Sequence, residues 1–140
     1  MTPNAAKLGR VLVLGGALGL AACGGGSTGS GAASALPKCA NRSFLATRVN
    51  LLPQSSRLYT HRKELGADVF GAMAPGSIDS VRREYKRHLE EQGYTITGGE
   101  AEEHDAEAEF EGNGRSGRLK LRELPGCGGA VQVQISLRRH

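Results

Sequence analysis

The three cysteines are the side chains of this sequence with the most distinctive chemistry. Cys23 follows an apolar run at residues 11–20, whereas Cys39 and Cys127 lie near the two ends of the region that contains all six aromatic residues. A cysteine thiol can be acylated, joined in a disulfide or bound to a metal ion, and its surroundings favour one of these fates. The three positions therefore need separate explanations.

The first 22 residues have the layout of a secretory signal peptide. Lys7 and Arg10 supply positive charge, residues 11–20 (VLVLGGALGL) are apolar, and two alanines follow. An apolar run of this length is too short for a membrane-spanning helix, which needs about 20 residues. The run also resembles the strand and glycine turn of a dinucleotide-binding unit, but the helix and the acidic residue that such a unit requires do not follow.

Residues 20–23 (LAAC) complete this segment and resemble the lipobox of bacterial lipoproteins. The resemblance implies a diacylglyceryl group on the Cys23 sulfur and cleavage before Cys23, which would become the mature N-terminus. Acyl chains anchor a protein to a membrane without spanning it. The alternative is an ordinary secretory signal peptide in which Cys23 is incidental. The resemblance predicts a protein held at the extracytoplasmic side of the cell membrane.

Residues 23–36 form the expected link between the lipid anchor and a single folded domain at residues 37–140. The link consists mostly of glycine, serine and alanine, which cannot bury enough apolar surface to order a chain. A phosphate-binding glycine loop is the alternative, but it requires a Gly-Lys-Ser/Thr sequence that does not follow. We therefore expect a flexible tether that begins at the lipidated cysteine.

If Cys23 is lipidated, two cysteines remain, and the oxidising conditions outside the cytoplasm favour a disulfide between Cys39 and Cys127. The bond would close a loop that spans most of the domain and would supply a large share of the stability of so small a core. A metal site built on the two thiols is the alternative, but no histidine lies near either cysteine in the sequence. No cofactor is expected.

The charge of the chain argues against a nucleic-acid partner. The formal net charge is +4, but two of the 18 basic residues, Lys7 and Arg10, belong to the signal peptide. The mature chain would carry 16 basic and 14 acidic side chains, a much smaller basic excess than nucleic-acid-binding domains have. The expected partners are the membrane, reached through the lipid anchor, and an envelope protein or an anionic polymer.

One helix is predicted at residues 78–92, with Ser77 as its N-cap and Gly93 as its stop. A narrow stripe runs along it at steps of three and four: Ile78, Val81, Tyr85, Leu89 and Gln92. The other face carries the basic set: Arg82, Arg83, Lys86 and Arg87. The basic set could contact anionic lipid headgroups or an acidic envelope polymer. Alternatively, it is a solvated face whose cations pair with Glu90 and Glu91 one turn later.

Alternating apolar and polar residues predict strands after the helix, and residues 57–62 and 67–73 look like two strands before it. The expected strands lie at residues 57–62, 67–73, 94–97, 105–111, 118–124 and 131–137, and residues 40–53 could add extended structure. Two strands, a helix and three or four further strands are typical of an α+β domain. We expect an antiparallel sheet of five or six strands, closed by one disulfide, with the helix packed on one face.

The dipeptide Asn113-Gly114 predicts a tight hairpin turn. A two-residue turn fixes the pairs across the two strands: Glu109 with Arg118, Glu107 with Lys120, Asp105 with Arg122, and Ala108 with Leu119 on the buried side. This register also explains the seven acidic residues and His104 within residues 100–111, which otherwise suggest a cation site. The segment lacks the spacing of an EF-hand, so we expect ion pairs between strands and no metal site.

No sequence motif in the expected domain identifies an enzyme. Residues 37–140 contain neither GxSxG nor HExxH, and His61, His88 and His104 are scattered. No catalytic residue is therefore assigned. We expect a non-enzymatic lipoprotein that presents a small binding or assembly domain in the cell envelope. The alternative is a small envelope hydrolase whose site is assembled from residues distant in sequence.

Overall fold

The structure, a computed structural model, describes residues 35–140. Within these residues it contains a short 3-10 helix at Lys38–Ala40, one α-helix and six strands. The α-helix, α1, is Ile78–Glu91. The strands are β1 (Arg57–Glu64), β2 (Ala67–Pro75), β3 (Thr95–Ala101), β4 (Asp105–Gly112), β5 (Arg115–Glu123) and β6 (Ala130–Arg139). The predicted α+β class is confirmed, and each strand predicted from the sequence coincides in large part with an observed one.

The six strands form one antiparallel sheet in the order β1-β2-β6-β5-β4-β3. β6 lies between β2 and β5, and so joins the first hairpin to the three strands that follow the helix. The end of the strands at which β2 finishes and β6 begins is called the disulfide end. The opposite end of the strands is called the distal end. It contains the β1–β2 and β4–β5 turns and the last residues of β6.

α1 begins and ends where the sequence places a cap and a stop. The Ser80 backbone N–H donates to the Ser77 side-chain oxygen at 3.3 Å, and the Ser77 backbone N–H donates to the Ser80 oxygen at 3.0 Å. These two bonds satisfy donors that a helix start leaves free. The helix ends one residue earlier than predicted because Gln92 is the C-cap and Gly93 turns the chain with a φ of 82°.

The β4–β5 hairpin has the register that the sequence predicts. Glu109 lies opposite Arg118, Glu107 opposite Lys120 and Asp105 opposite Arg122. Asn113 and Gly114 occupy the turn with φ values of 54° and 67°. A backbone of this kind follows the right-handed twist of the two strands, and asparagine and glycine tolerate it best.

The segment at residues 41–56 corrects the expectation of extended structure within residues 40–53. It forms neither a strand nor a helix and makes two tight turns, in which the Leu52 and Ser56 N–H groups donate to the Val49 and Pro53 carbonyl oxygens. Proline lacks a backbone donor and fixes its own φ, so Pro53 favours a turn over a paired strand. The Leu45 N–H alone reaches the edge of β1, at 2.8 Å from the Leu58 carbonyl oxygen.

The main core lies between α1 and one face of the sheet. The helix contributes Ile78, Val81, Tyr85 and Leu89, all buried. A smaller cluster forms on the other face beneath the N-terminal segment: Ala40, Met73, Cys127 and Ala130. Two cation–π contacts also hold this segment, with Arg57 over Phe44 at 3.9 Å and Arg42 over Tyr59 at 5.0 Å.

Candidate functional surfaces

The predicted lipidation site, Cys23, lies outside the described residues, as do the signal peptide and most of the tether. Its acylation therefore stays a prediction. Among residues 35–140, no helix is long and apolar enough to cross a membrane.

The predicted disulfide is confirmed. Cys39 and Cys127 are bonded, with their Cα atoms 5.7 Å apart and 88 positions apart in the sequence. Cys39 belongs to the 3-10 helix, and Cys127 lies in the loop between β5 and β6. Cys127 is 3% exposed and packs with Ala40, Met73 and Ala130. The bond fixes the start of the folded domain to the disulfide end of the sheet.

The basic set lies on the solvent side of α1, as predicted from the helical period. Three of its four cations face acidic side chains of the same helix: Arg82 with Asp79 at 3.8 Å, Lys86 with Glu90 at 4.0 Å and Arg87 with Glu91 at 3.2 Å. Surface pairs of this kind contribute about 0.3–0.5 kcal/mol each. The pairing with Glu90 and Glu91 matches the solvated alternative, and contact of the basic set with an anionic surface stays a prediction.

The acidic segment is held by ion pairs between strands. Glu109 accepts from Arg118 at 2.6 Å, and Glu107 accepts from Lys120 at 2.6 Å. The hydrogen bond from Lys120 holds the pKa of Glu107 below its usual value. No group of three possible metal ligands occurs within residues 35–140. Cross-strand pairing thus accounts for the acids at the centre of β4.

His104 gives this region a measurable pH response. Its Nδ1–H donates to Glu123 at 2.8 Å, and this bond raises the pKa of His104 above the ordinary 6.5, with a smaller effect from Glu103. The pair stabilises the fold below pH 6.5, and the contribution is lost as the pH rises through the raised pKa. In an NMR titration we expect Glu123→Gln to return the pKa towards 6.5 and Glu103→Gln to lower it less. An unchanged pKa in Glu123→Gln would contradict this pairing.

The three described histidines that precede the C-terminal residue contact carboxylates or the backbone. His61 Nε2 lies 3.1 Å from Asp68, His88 Nε2 lies 2.7 Å from the Asn50 carbonyl oxygen, and His104 contacts Glu123. In residues 35–140 none of them is hydrogen-bonded to a hydroxyl or thiol that could act as a nucleophile. The absence of an enzymatic activity stays a prediction.

Burial distinguishes Tyr85 from the other polar groups of α1. Its ring is completely buried, and its hydroxyl donates to Ser56 Oγ at 2.8 Å. Burial raises the pKa of this hydroxyl well above its usual value, so it remains protonated. The adjacent Glu84 accepts from Ser55 at 2.8 Å. These bonds fasten the irregular segment to the helix, which is a structural role.

A cleft of about 530 Å³ opens at the distal end. We call it the distal cleft and define it by Arg48, His61, Asp68, Phe70, Tyr94 and Arg115, with Leu137 beside them. Phe70, Tyr94 and Leu137 are buried apolar side chains, whereas Arg48 is exposed and Arg115 is half-buried. The distal cleft therefore combines an apolar lining with cations at its rim.

No sequence motif marks the distal cleft. Arg115 follows the predicted turn directly, so Asn113-Gly114 already indicates that Arg115 lies at the end of a strand. Its neighbour Arg139 lies directly across from it on β6. That pairing depends on the register between β5 and β6, which are joined by the irregular loop at residues 124–129, and no turn motif fixes it.

Comparison of the chain with protein-family models, with curated proteins and with solved structures finds no match.

Proposed function

We propose that the chain is a membrane-anchored bacterial lipoprotein that presents a small, non-enzymatic binding or assembly domain in the cell envelope. Cys23 is its lipidated residue, and residues 24–36 are its tether. The domain binds an envelope protein or an anionic polymer on the extracytoplasmic side of the membrane. Nucleic acid is not a partner in this proposal.

The observation that supports the proposal most strongly is the Cys39–Cys127 disulfide. Disulfides persist in oxidising compartments, so the bond favours a domain exported from the cytoplasm. It uses two of the three cysteines and leaves Cys23, which follows the apolar run. An exported chain with one further cysteine at a lipobox is consistent with a thioether-linked lipid at that position.

The position of the disulfide also suits a tethered domain. Cys39 lies three residues after the end of the glycine-rich segment and is bonded to the sheet at Cys127. The covalent path from the lipid therefore enters the fold at the disulfide end. The tether would therefore leave the distal end free to meet a partner.

The proposal is tested by replacing Cys23 with serine and expressing the full chain in a bacterium supplied with a labelled fatty acid. The serine hydroxyl is a poor substitute for the thiolate nucleophile, so we expect complete loss of the lipid label and accumulation of the uncleaved chain. The readouts are labelled-lipid incorporation and the mass of the N-terminal peptide.

A position control uses Cys23→Ser together with Ser27→Cys, which moves the thiol four residues into the tether. We expect this variant to remain unlabelled, because the lipobox residues no longer precede the cysteine. A Cys23→Ser chain that is still cleaved after residue 22 and still carries lipid would overturn the proposal.

A further inference from the structure

We propose that the distal cleft is a binding site for a phosphate group, held by Arg115 together with Arg48 and Arg139. The inference deepens the proposed function and rests on it only for the cellular setting. It places the ligand-binding surface at the end of the domain farthest from the disulfide, and not on the basic set of α1.

Three arginines from separate parts of the chain lie at this end of the sheet. Arg48 comes from the irregular segment, Arg115 begins β5 and Arg139 ends β6. Arg48 and Arg115 line the same cleft, and Arg115 and Arg139 are direct partners across the β5–β6 pair. Side chains opposite each other on antiparallel strands point to the same face. Arg139 thus lies beside the cleft, on the same face of the sheet as Arg115, which lines the cleft together with Arg48.

These arginines lack the neutralising partners that most cations of the basic set have. Within residues 35–140, none of the three forms an ion pair with a carboxylate, whereas three cations of the basic set do. Like charges directly opposite each other destabilise a strand pair. An anion bound between Arg115 and Arg139 would remove that repulsion, so ligand binding and fold stability are coupled.

Asp68 is the acidic residue that lines the distal cleft, and its charge is already matched. Its Oδ1 lies 3.1 Å from His61 Nε2 and 3.2 Å from Lys63 Nζ. The hydrogen bonds from His61 and then Lys63 keep the pKa of Asp68 below its usual value, so it is ionised and engaged. Arg48, Arg115 and Arg139 are thereby left for a ligand.

The chemistry of the cleft favours phosphate. Guanidinium groups pair with phosphate through two parallel N–H···O bonds, and a half-buried arginine holds such a group more firmly than an exposed one. Phe70, Tyr94 and Leu137 also line the cleft but are 8%, 8% and 4% exposed, so a ligand would meet the cations more than apolar surface. Phosphate groups of lipid headgroups and free phosphate share this chemistry.

The test uses the mature protein, isotopically labelled, in micelles of a neutral maltoside detergent that carries no phosphate. Inorganic phosphate is titrated at constant ionic strength against a chloride reference, and backbone amide NMR signals are followed. We expect shifts at residues 47–50, 113–116 and 138–140, and none on the solvent side of α1. A second titration adds phosphatidylglycerol to the micelles, with phosphatidylcholine as the zwitterionic reference.

Arg115→Gln removes the central cation, and we expect it to weaken phosphate binding about ten-fold or more, because it deletes hydrogen bonds between charged groups. Arg115→Lys keeps the charge without the fork and should recover part of the affinity. The matched control is Arg83→Gln, a cation of α1 that forms no ion pair within the described residues; its effect should stay within about two-fold. Since Arg115→Gln relieves repulsion with Arg139, its thermal stability should be unchanged or higher, which excludes misfolding as the cause.

Binding of inorganic phosphate that Arg115→Gln weakens supports the site for phosphate in general. Binding only in the phosphatidylglycerol micelles, with the same sensitivity to Arg115→Gln, supports a lipid headgroup as its source. The inference is overturned by no binding in either titration, or by equal losses in Arg115→Gln and Arg83→Gln. The titration reports on residues 35–140 whether or not Cys23 carries lipid, so failure here is distinguishable from failure of the anchor.

Discussion

Replacing Cys39 or Cys127 by alanine should lower the free energy of unfolding by about 4–5 kcal/mol in the chain-entropy account of disulfides. The reason is the length of the loop, since the bonded residues are 88 positions apart and the unfolded chain without the bond gains a large conformational freedom. Domains of this size have total stabilities of about 5–15 kcal/mol, so the loss is a large fraction. Chemical denaturation followed by circular dichroism measures it.

The double replacement provides the decisive comparison. Because both single variants break the same bond, the double variant should lose about as much as either single variant, and a reducing agent should have the same effect on the native protein. Lys38→Ala, an exposed neighbour of Cys39, should change the free energy of unfolding by less than about 0.5 kcal/mol. Additive losses in the double variant would contradict a shared bond.

Gly117→Ala should lower the free energy of unfolding by about 2–3 kcal/mol, because the position has no room for a methyl group. A Cβ placed on Gly117 would lie 2.7 Å from the Ser136 carbonyl oxygen and closer still to the Phe110 ring. Phe110 is 1% exposed and also packs edge-on against Tyr94 at 5.3 Å, so its ring cannot move without disturbing the core. Thermal or chemical denaturation measures the change.

The matched control is Gly98→Ala on the edge strand β3, where a Cβ would meet its nearest neighbour, Glu109, at an ordinary 3.8 Å. We expect a change of less than about 0.5 kcal/mol there. In a background of Phe110→Leu, which removes the ring from above residue 117, Gly117→Ala should be less harmful. Equal losses in the presence and absence of the ring would show that Phe110 is not the obstacle.

The sequence was sufficient where the determinants are local. Ser77 and Gly93 mark the ends of α1 because capping depends on a few adjacent residues. Asn113-Gly114 fixes the register of β4 and β5 because a two-residue turn leaves no freedom in the pairing. The cross-strand pairs of Glu107 and Glu109 follow from that register, which is why their partners could be named beforehand.

The parts that could not be predicted depend on contacts distant in sequence. The insertion of β6 between β2 and β5 depends on the burial of both faces of β2, whose residues from Val69 to Pro75 are all buried. The segment at residues 41–56 is held by the contact of Phe44 with Arg57 and by the hydrogen bond from Ser55 to Glu84 on α1. No periodic pattern in the sequence predicts either contact. Sheet order and irregular segments therefore required the structure.

The candidate sites also differ in whether local sequence features predict them. The disulfide was predictable because counting cysteines leaves few alternatives, and the basic set was predictable from the helical period. The distal cleft was not, because Arg48, Arg115 and Arg139 come together only when the β5–β6 register and the path of residues 41–56 are known.

The most direct test of the account is the intact mass of the protein isolated from the bacterial membrane fraction, with thiol alkylation before and after reduction. We expect a chain that begins at Cys23 and carries acyl chains, and in which two further thiols become alkylated only after reduction. A mature chain without lipid, or one whose cysteines are alkylated without reduction, would contradict it.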